Sequence, residues 1–236
     1  MLEIKNLCKN YGEHRVLDNI SFNVDKGEVI AIIGGSGCGK STLLRCLNHI
    51  EEVTEGEILF NGKDINDIPN YHQKVGMVFQ QFNLFPHLSV IDNITLAPVK
   101  LHLMTKDEAT KKARKLLKDI NLLEKENSMP GNLSGGEQQR VAIVRTLMMN
   151  PDVILFDEPT SSLDPEMTKE VLELIKKLVD TNMTILIVSH ELGFVRDVAK
   201  RIIFLNKGKI ASDDNVKNTF ENSTNKELKK FLSNIN

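Results

Sequence analysis

Residues 28–47 read EVIAIIGGSGCGKSTLLRCL, and three kinds of segment follow one another there without a gap. An apolar run of strand length, EVIAII, leads into a glycine-rich loop, and the loop opens a segment with helical apolar periodicity. Gly34, Gly39, Lys40 and Ser41 fit G-x-x-x-x-G-K-[ST] in the strand–loop–helix context that a phosphate-binding loop requires. The mechanics favour residues of this kind. Backbone amides from Gly34, Gly35, Ser36, Gly37, Cys38 and Gly39 curl around phosphate oxygens, and the helix N-terminus adds its dipole. Lys40 reaches the outer phosphates, the Ser41 hydroxyl suits Mg²⁺, and Thr42 continues the first helical turn. Such a match arises by chance in roughly one chain in a hundred of this length, so an incidental glycine turn is the weaker reading.

The bulk of the sequence bounds the rest. At 236 residues the chain can bury a sizeable core without disulfides. Thirty Lys and Arg against 32 Asp and Glu give a formal charge of −2, which offers no cationic surface for nucleic acid. Cys8, Cys38 and Cys46 have no metal-ligand spacing, and their odd number fits reduced thiols in a reducing compartment. The opening MLEIKNLCKNYGE lacks an apolar signal-peptide core, and no window holds 18 uninterrupted apolar residues. Any membrane role is therefore expected to be peripheral.

Along the chain, LEIKNL, ISFNV and EVIAII read as strands separated by turn-like NYGEH and DKGE. From about 81 to 150 the character becomes helical, through SVIDNITLAPVKL, a segment opening at Thr105 with a T-x-x-E capping box, and GEQQRVAIVRTLMM. Two further apolar runs, DVILFD (152–157) and MTILIVSH (183–190), read as buried parallel strands. Between them a helix is expected to start at Asp164-Pro165. The polar tail after Ile210, with its last apolar FLSNI, reads as short surface helices.

Several residues carry chemistry if they surround a bound phosphate. VILFDEP places Asp157 and Glu158 at the carboxyl end of a strand, where α/β sheets bind ligands. Asp157 would join the Mg²⁺ shell, and Glu158 would orient or deprotonate an attacking water. Without the phosphate loop, the same residues read as a solvated acidic turn. His190 ends the next apolar run and is expected beside the phosphates, although a lone histidine is more often packed or merely exposed. Gln80, closing GMVFQ, is a neutral amide that could touch Mg²⁺ or water. Tyr11 precedes Gly12 in a turn and could stack on a purine; the other tyrosine, Tyr71, reads as surface. Residues 133–140, LSGGEQQR, offer a second glycine pair with no obvious phosphate of their own. Ser134 and Glu137 form a capping box, a sufficient local explanation by itself.

In order and wording these segments resemble the ATP-binding subunit of ABC transporters over nearly the whole chain. The resemblance implies an α/β P-loop NTPase with a parallel core sheet, an N-terminal antiparallel β subdomain and an inserted helical signature subdomain. Residues 1–80 and 151–236 would form a RecA-like core with the β subdomain, and about 81–150 the helical subdomain, all within one domain of 1–236. It further implies a purine platform at Tyr11, a Q-loop at Gln80, a D-loop ending at Asp164, a switch histidine at His190, and ATP with Mg²⁺ as cofactors. Ser134, Gly135 and Gly136 would meet the γ-phosphate held by another copy's loop. The active unit would be a head-to-tail homodimer at the cytoplasmic face of the membrane, bound to integral permease subunits and served indirectly by an extracellular solute-binding protein.

The wording QQFNLFPHLSVIDNITLAPVKLHLMTKDEA is similar to the bacterial branch that imports polar amino acids. Glu137 stands where that branch usually has Gln, and Ser162 where Ala is commoner. A regulatory domain of the kind many importers carry after the cassette is not expected within these 236 residues. Phe82, Leu84, Phe85 and Leu88 are expected either to line a groove for a membrane-subunit helix or to belong to the subdomain core. Other readings are an ABC exporter subunit, a soluble ABC ATPase working on ribosomes or DNA, and a small-molecule kinase. Paired cassettes or long coiled-coil insertions would mark the ribosomal and DNA types, and a kinase has no use for LSGGEQQR. The carboxylate roles are open to direct test: Glu158→Gln should keep MgATP binding, nearly abolish turnover and accumulate as an ATP-bound dimer in size-exclusion chromatography, whereas unchanged hydrolysis would remove Glu158 from the reaction.

Overall fold

The computed structural model describes residues 1–233. In chain order the strands are β1 (Leu2–Tyr11), β2 (His14–Val24), β3 (Val29–Ile33), β4 (Glu55–Phe60), β5 (Lys63–Asp64), β6 (Val75–Val78), β7 (Val153–Asp157), β8 (Thr184–Val188), β9 (Arg201–Asn206) and β10 (Lys209–Asn215). The helices are α1 (Lys40–Leu47), α2 (Tyr71–Lys74), α3 (Val90–Lys100), α4 (Lys106–Asp119), α5 (Gly135–Leu147), α6 (Pro165–Asp180), α7 (Leu192–Val198) and α8 (Lys226–Ser233). Two compact units divide the chain. The first is Met1–His72 together with the chain from Asn182 onward, and the second is Gln73–Thr181.

In the first unit, β1 pairs antiparallel with β2 on one side and β4 on the other, and the sheet has the order β2-β1-β4-β5. A second set of strands contains β3, which runs parallel to both β8 and β9; β10 returns antiparallel along β9. Every residue of β3 (VIAII) and of β8 (TILIV) is buried. A parallel strand covered on both faces accepts such unbroken β-branched runs, whereas a one-sided strand must alternate.

The second unit sets β6 parallel to β7, with Val78 opposite Phe156, and carries helices α3 to α6. Each of these helices starts on a residue suited to its place. Ser89 caps α3, Thr105 and Glu108 close a full capping box on α4, Ser134 and Glu137 do so on α5, and Asp164 accepts the Met167 N–H at 2.9 Å to begin α6. Val90, Ile94, Ala113, Leu117, Val141 and Met148 are among the residues that close the helical core. Among the described residues no helix is long and apolar enough to cross a membrane.

Two expectations need correction. Residues 211–215, read as the start of a tail of short surface helices, belong to the edge strand β10 (Lys209–Asn215), whose burial alternates between exposed and half-buried. Its sequence, KIASDDN, hides the strand because charged and polar residues are what an edge strand uses to discourage further pairing. Beyond it the tail turns at Asn218–Asn222 and forms α8, which buries Leu228 and sets Phe231 against Phe204 with ring centroids 5.5 Å apart. The last residues of FLSNI lie outside the described residues.

Tyr71, read as surface, is 2% exposed, and its hydroxyl donates to the Leu47 carbonyl at 2.8 Å. Phe60 packs edge-on against its ring at 5.8 Å, and burial pushes its phenol well above the usual range. The polar neighbours Asn70, His72 and Gln73 disguised a core residue. Tyr71→Phe should cost about 1–2 kcal/mol, because the buried Leu47 carbonyl loses its partner. In a chain of this size that lowers the thermal midpoint by roughly 3–6 °C, measurable by scanning calorimetry.

Candidate nucleotide site

The phosphate loop belongs to the first unit and leaves the carboxyl edge of β3. Ile32 pairs with Val188 of β8 in parallel register. Gly34 and His190 therefore each stand two residues beyond a paired position, on neighbouring strands that leave the sheet about 4.8 Å apart. Sequence distance concealed this, and the parallel register restores it. His190 is exposed in the bend after β8, where its carbonyl accepts the Leu192 N–H at 3.0 Å. Ser189, buried at its side, accepts the Glu191 N–H at 3.1 Å and so braces the bend.

Inside the loop the residues divide by what surrounds them. A Cβ on Gly34 would lie 2.2 Å from the Leu205 carbonyl oxygen, and one on Gly39 would lie 2.7 Å from the Leu17 side chain and 3.1 Å from the Val16 oxygen. These two glycines exist for close backbone approach. Gly35, Ser36 and Gly37 are exposed, and a Cβ on Gly35 or Gly37 would meet nothing within 4 Å. This open face is where a ligand would meet the loop. Lys40, although charged, is buried, and its Nζ donates to the carbonyls of Gly34 and Gly35 at 3.0 and 3.1 Å. The cation is thereby held against the loop it serves.

Cys38 points the other way. It is 8% exposed, and its sulfur lies 2.8 Å from the position a Gly34 Cβ would take. Its side chain fills the floor of the loop and packs there. Its carbonyl accepts the Gly208 N–H at 3.2 Å, which ties the loop to the β9–β10 turn.

Tyr11 closes β1 and remains 45% exposed. The Lys9 ammonium lies 4.9 Å from its ring centroid and is itself fixed by Glu51 at 3.0 Å and by the Glu52 carbonyl at 2.8 Å. Burial, followed by the Glu51 carboxylate, pushes the Tyr11 phenol up, against the pull of Lys9 and Thr42. One ring face is occupied by a cation, and the phenol stays neutral. Lys9 escaped the sequence reading, because no local pattern distinguishes a lysine above a ring from a solvated one.

In the second unit the same strand logic places another pair. With Val78 opposite Phe156, Gln80 and Glu158 each stand two residues past a paired position on adjacent parallel strands. Gln80 is exposed, Asp157 is buried as the last residue of β7, and Glu158 is half-buried. Glu158 has φ 47°. Eight of the twelve non-glycine residues with positive φ among those described are asparagines, the residue type that tolerates the left-handed region best. A glutamate there stores strain of about 1–3 kcal/mol, a feature concentrated at functional sites. The Glu158 carbonyl accepts from the Ser161 N–H at 3.3 Å and the Ser161 hydroxyl at 3.1 Å, which holds the turn. Asp164 ends the same loop with its carboxylate on the α6 cap.

The start of α5 resolves the question posed by LSGGEQQR. Ser134 N–H donates to the Glu137 carboxylate at 2.8 Å, and Glu137 N–H donates to the Ser134 hydroxyl at 3.2 Å. The carboxylate of Glu137 is thus turned back onto the cap. Gly136 N–H points to the Met167 sulfur at 3.3 Å, and a Cβ there would lie 2.8 Å from the Met167 Cβ. Gly136 therefore serves the packing of α5 on α6, a role with no sequence signal. Gly135 N–H has no hydrogen-bond partner among the described residues. The groove residues also part company. Leu84 packs on the helical core, Phe82 lies 3.4 Å from where a Gly135 Cβ would be, and Phe85 stands 42% exposed.

A strand–loop–helix phosphate cradle, two chemistry-bearing pairs at carboxyl strand ends and a capped glycine signature together define an ATP-binding cassette. A profile of the ABC transporter family matches residues 17–161. The arginine transport ATP-binding protein ArtM of Bacillus subtilis is 48% identical over 239 residues, with 100% of each chain covered. The glutamine transport ATP-binding protein GlnQ of Escherichia coli is 47% identical over 240 residues, again with 100% of each covered. Among solved structures, the dimeric ATP-binding cassette MJ0796, in a post-hydrolysis state bound to ADP and Pi, aligns with a TM-score of 0.81 and 36% identity over 92% of this chain and 99% of that one. CbiO1 of Clostridium perfringens, part of the transporter complex CbiONQ, aligns with a TM-score of 0.82 and 31% identity over 98% and 94%. The chain belongs to the ABC transporter family, as an ATP-binding and ATP-hydrolysing subunit.

The two kinds of loop glycine separate in a paired experiment. Gly34→Ala drives a methyl into the Leu205 carbonyl and should lower folding stability by about 2 kcal/mol or more. Gly35→Ala should leave stability within about 0.5 kcal/mol of the parent. On the open face, however, it should weaken MgATP binding by about tenfold or more. Thermal melts beside nucleotide titrations check both arms.

Proposed function

We propose that this subunit powers the uptake of a polar amino acid through a membrane permease. The relatives whose names carry amino-acid transport match it end to end at 46–48% identity, which supports importer chemistry over ribosomal, DNA-directed or exporter roles. In this reading the loop from Gly34 to Thr42 binds the phosphates of ATP, and Tyr11 stacks on adenine with the ring face that Lys9 leaves. Ser41, Asp157 and Gln80 hold Mg²⁺, an acidic and neutral oxygen set that suits a hard cation. Glu158 orients the attacking water, and His190 senses the γ-phosphate. The subunit sits at the cytoplasmic face of the membrane, with exposed Phe85 toward the permease, and receives solute indirectly from an extracellular binding protein.

A head-to-tail homodimer completes the reading, and one observation carries it. Of the amides that open α5, those of Ser134, Gly136 and Glu137 are engaged within the subunit, while Gly135 N–H is left over at a helix N-terminus. A helix start with a spare donor favours an anion. The anion assigned to it is the γ-phosphate on the partner's loop, and Asp164 approaches the same nucleotide from its own loop.

Complementation tests this. Lys40→Ala damages the phosphate loop, and Gly135→Asp puts a carboxylate where the second phosphate contact belongs. Gly135 is preferred to Gly136, whose substitution would strike Met167 within the subunit. Neither variant alone should hydrolyse ATP. Random mixing makes about half the dimers mixed, each with one whole site, so activity should return toward roughly a quarter of wild type. Mixed dimers that demonstrably form in ATP yet hydrolyse no more than either parent would overturn the composite site.

A further inference from the structure

The segment that carries Gln80 is held by the signature helix. Gln139, five residues into α5, is 0% exposed and its Nε2 donates to the Phe79 carbonyl at 3.3 Å. Arg145, nearly two turns further along, donates to the Asn83 carbonyl at 2.7 Å and to the Phe82 carbonyl at 3.3 Å. Gln80 lies between these straps and is itself exposed. Beyond them Asn93 donates to the carbonyls of Phe85, Leu88 and Ser89 at 3.1, 3.0 and 3.0 Å and accepts the Phe85 N–H at 2.7 Å. The backbone from 79 to 89, irregular and largely at the surface, is thus pinned by side chains at both ends.

Gln139 is an expensive way to pin it. Its Oε1 is buried with no hydrogen-bond partner among the described residues, and a buried amide with an unmet acceptor destabilises a fold relative to an apolar side chain of similar volume. What the amide supplies is a donor to the carbonyl immediately before Gln80, from a helix that is capped by Ser134 and opens with Gly135 and Gly136.

We propose that Gln139 is a positioning residue for ATP hydrolysis: through the Phe79 carbonyl it makes Gln80 travel with α5, so that engagement of the signature by the partner's nucleotide sets the placement of Gln80. This rests on the readings of Gln80 and of the signature given above. It also joins them within one subunit, since the helix that meets one nucleotide carries the amide that serves the other.

Four versions of the full chain test the link: wild type, Gln80→Ala, Gln139→Met and the double variant, each measured for melting temperature and for ATP turnover across Mg²⁺ and ATP concentrations. Gln139→Met removes the orphaned oxygen but also the donor to the Phe79 carbonyl, two opposing effects of similar size, so its melting temperature should stay within a few degrees of wild type. Its KM for ATP should stay within about twofold, while kcat falls and half-saturating Mg²⁺ rises several-fold, as in Gln80→Ala. The double variant should be no worse than Gln80→Ala, because Gln139 acts through that residue. Gln139→Glu gives a second route: buried, its carboxyl pKa is raised, so below that pKa it keeps an O–H donor for Phe79 and near-wild-type Mg²⁺ dependence, which is lost as pH rises through it. Unchanged kinetics in Gln139→Met, or losses that multiply in the double variant, overturn the positioning role. If Gln80→Ala itself leaves turnover and Mg²⁺ dependence unchanged, the reading of Gln80 fails first and the inference falls with it.

Discussion

The phosphate loop depends on two close backbone approaches, Gly34 against the Leu205 carbonyl and Gly39 against Val16 and Leu17. A side chain at either position would lift the loop off the strands beneath it. Because both are glycine, the helix α1 begins where the loop ends, Lys40 folds back on the carbonyls of Gly34 and Gly35, and Cys38 fills the floor. The exposed stretch Gly35–Gly37 is then free of packing duties, which leaves it for a ligand. Residues 205–208, far along the chain, are as much a part of this loop as its own glycines, as the Gly208 hydrogen bond to Cys38 shows.

Parallel register does for the flanking groups what glycine does for the loop. Buried strands of one direction release their next residues at a common edge, so functional side chains need no sequence proximity to become neighbours. Gly34 and His190 emerge side by side in the first unit, and Gln80 and Glu158 in the second. The left-handed turn at Glu158 is one place where local conformational preference is overruled. Its retention at a carboxylate assigned to water activation fits the tendency of strain to collect at reactive positions.

At the start of α5, the cap and the spare donor use different atoms and do not compete. The capping box satisfies Ser134 and Glu137, Met167 takes the Gly136 N–H, and Gly135 keeps a spare donor at the positive end of a helix. The usual glutamine at position 137 is not needed for this geometry, because a glutamate makes the same backward bond to Ser134 N–H. Its carboxylate is turned back onto the cap.

The sequence by itself determined what depends on short-range pattern. The strand–loop–helix order around GGSGCGKST, the unbroken apolar runs of β3, β7 and β8, and the capping residues Thr105, Ser134 and Asp164 all act over a few residues, and each appears in the structure where the pattern puts it. Tertiary structure alone decided whatever rests on a neighbour distant in the chain. Tyr71 is core because Leu47 and Phe60 receive it, KIASDDN is a strand because β9 offers an open edge, and Cys38 is packing because Gly34 and the β9–β10 turn close over it. Gln139 and Arg145 support the Gln80 segment across some 60 residues of chain. No periodicity encodes such contacts, since a hydrogen bond or a van der Waals surface answers to distance in space and not to spacing along the backbone.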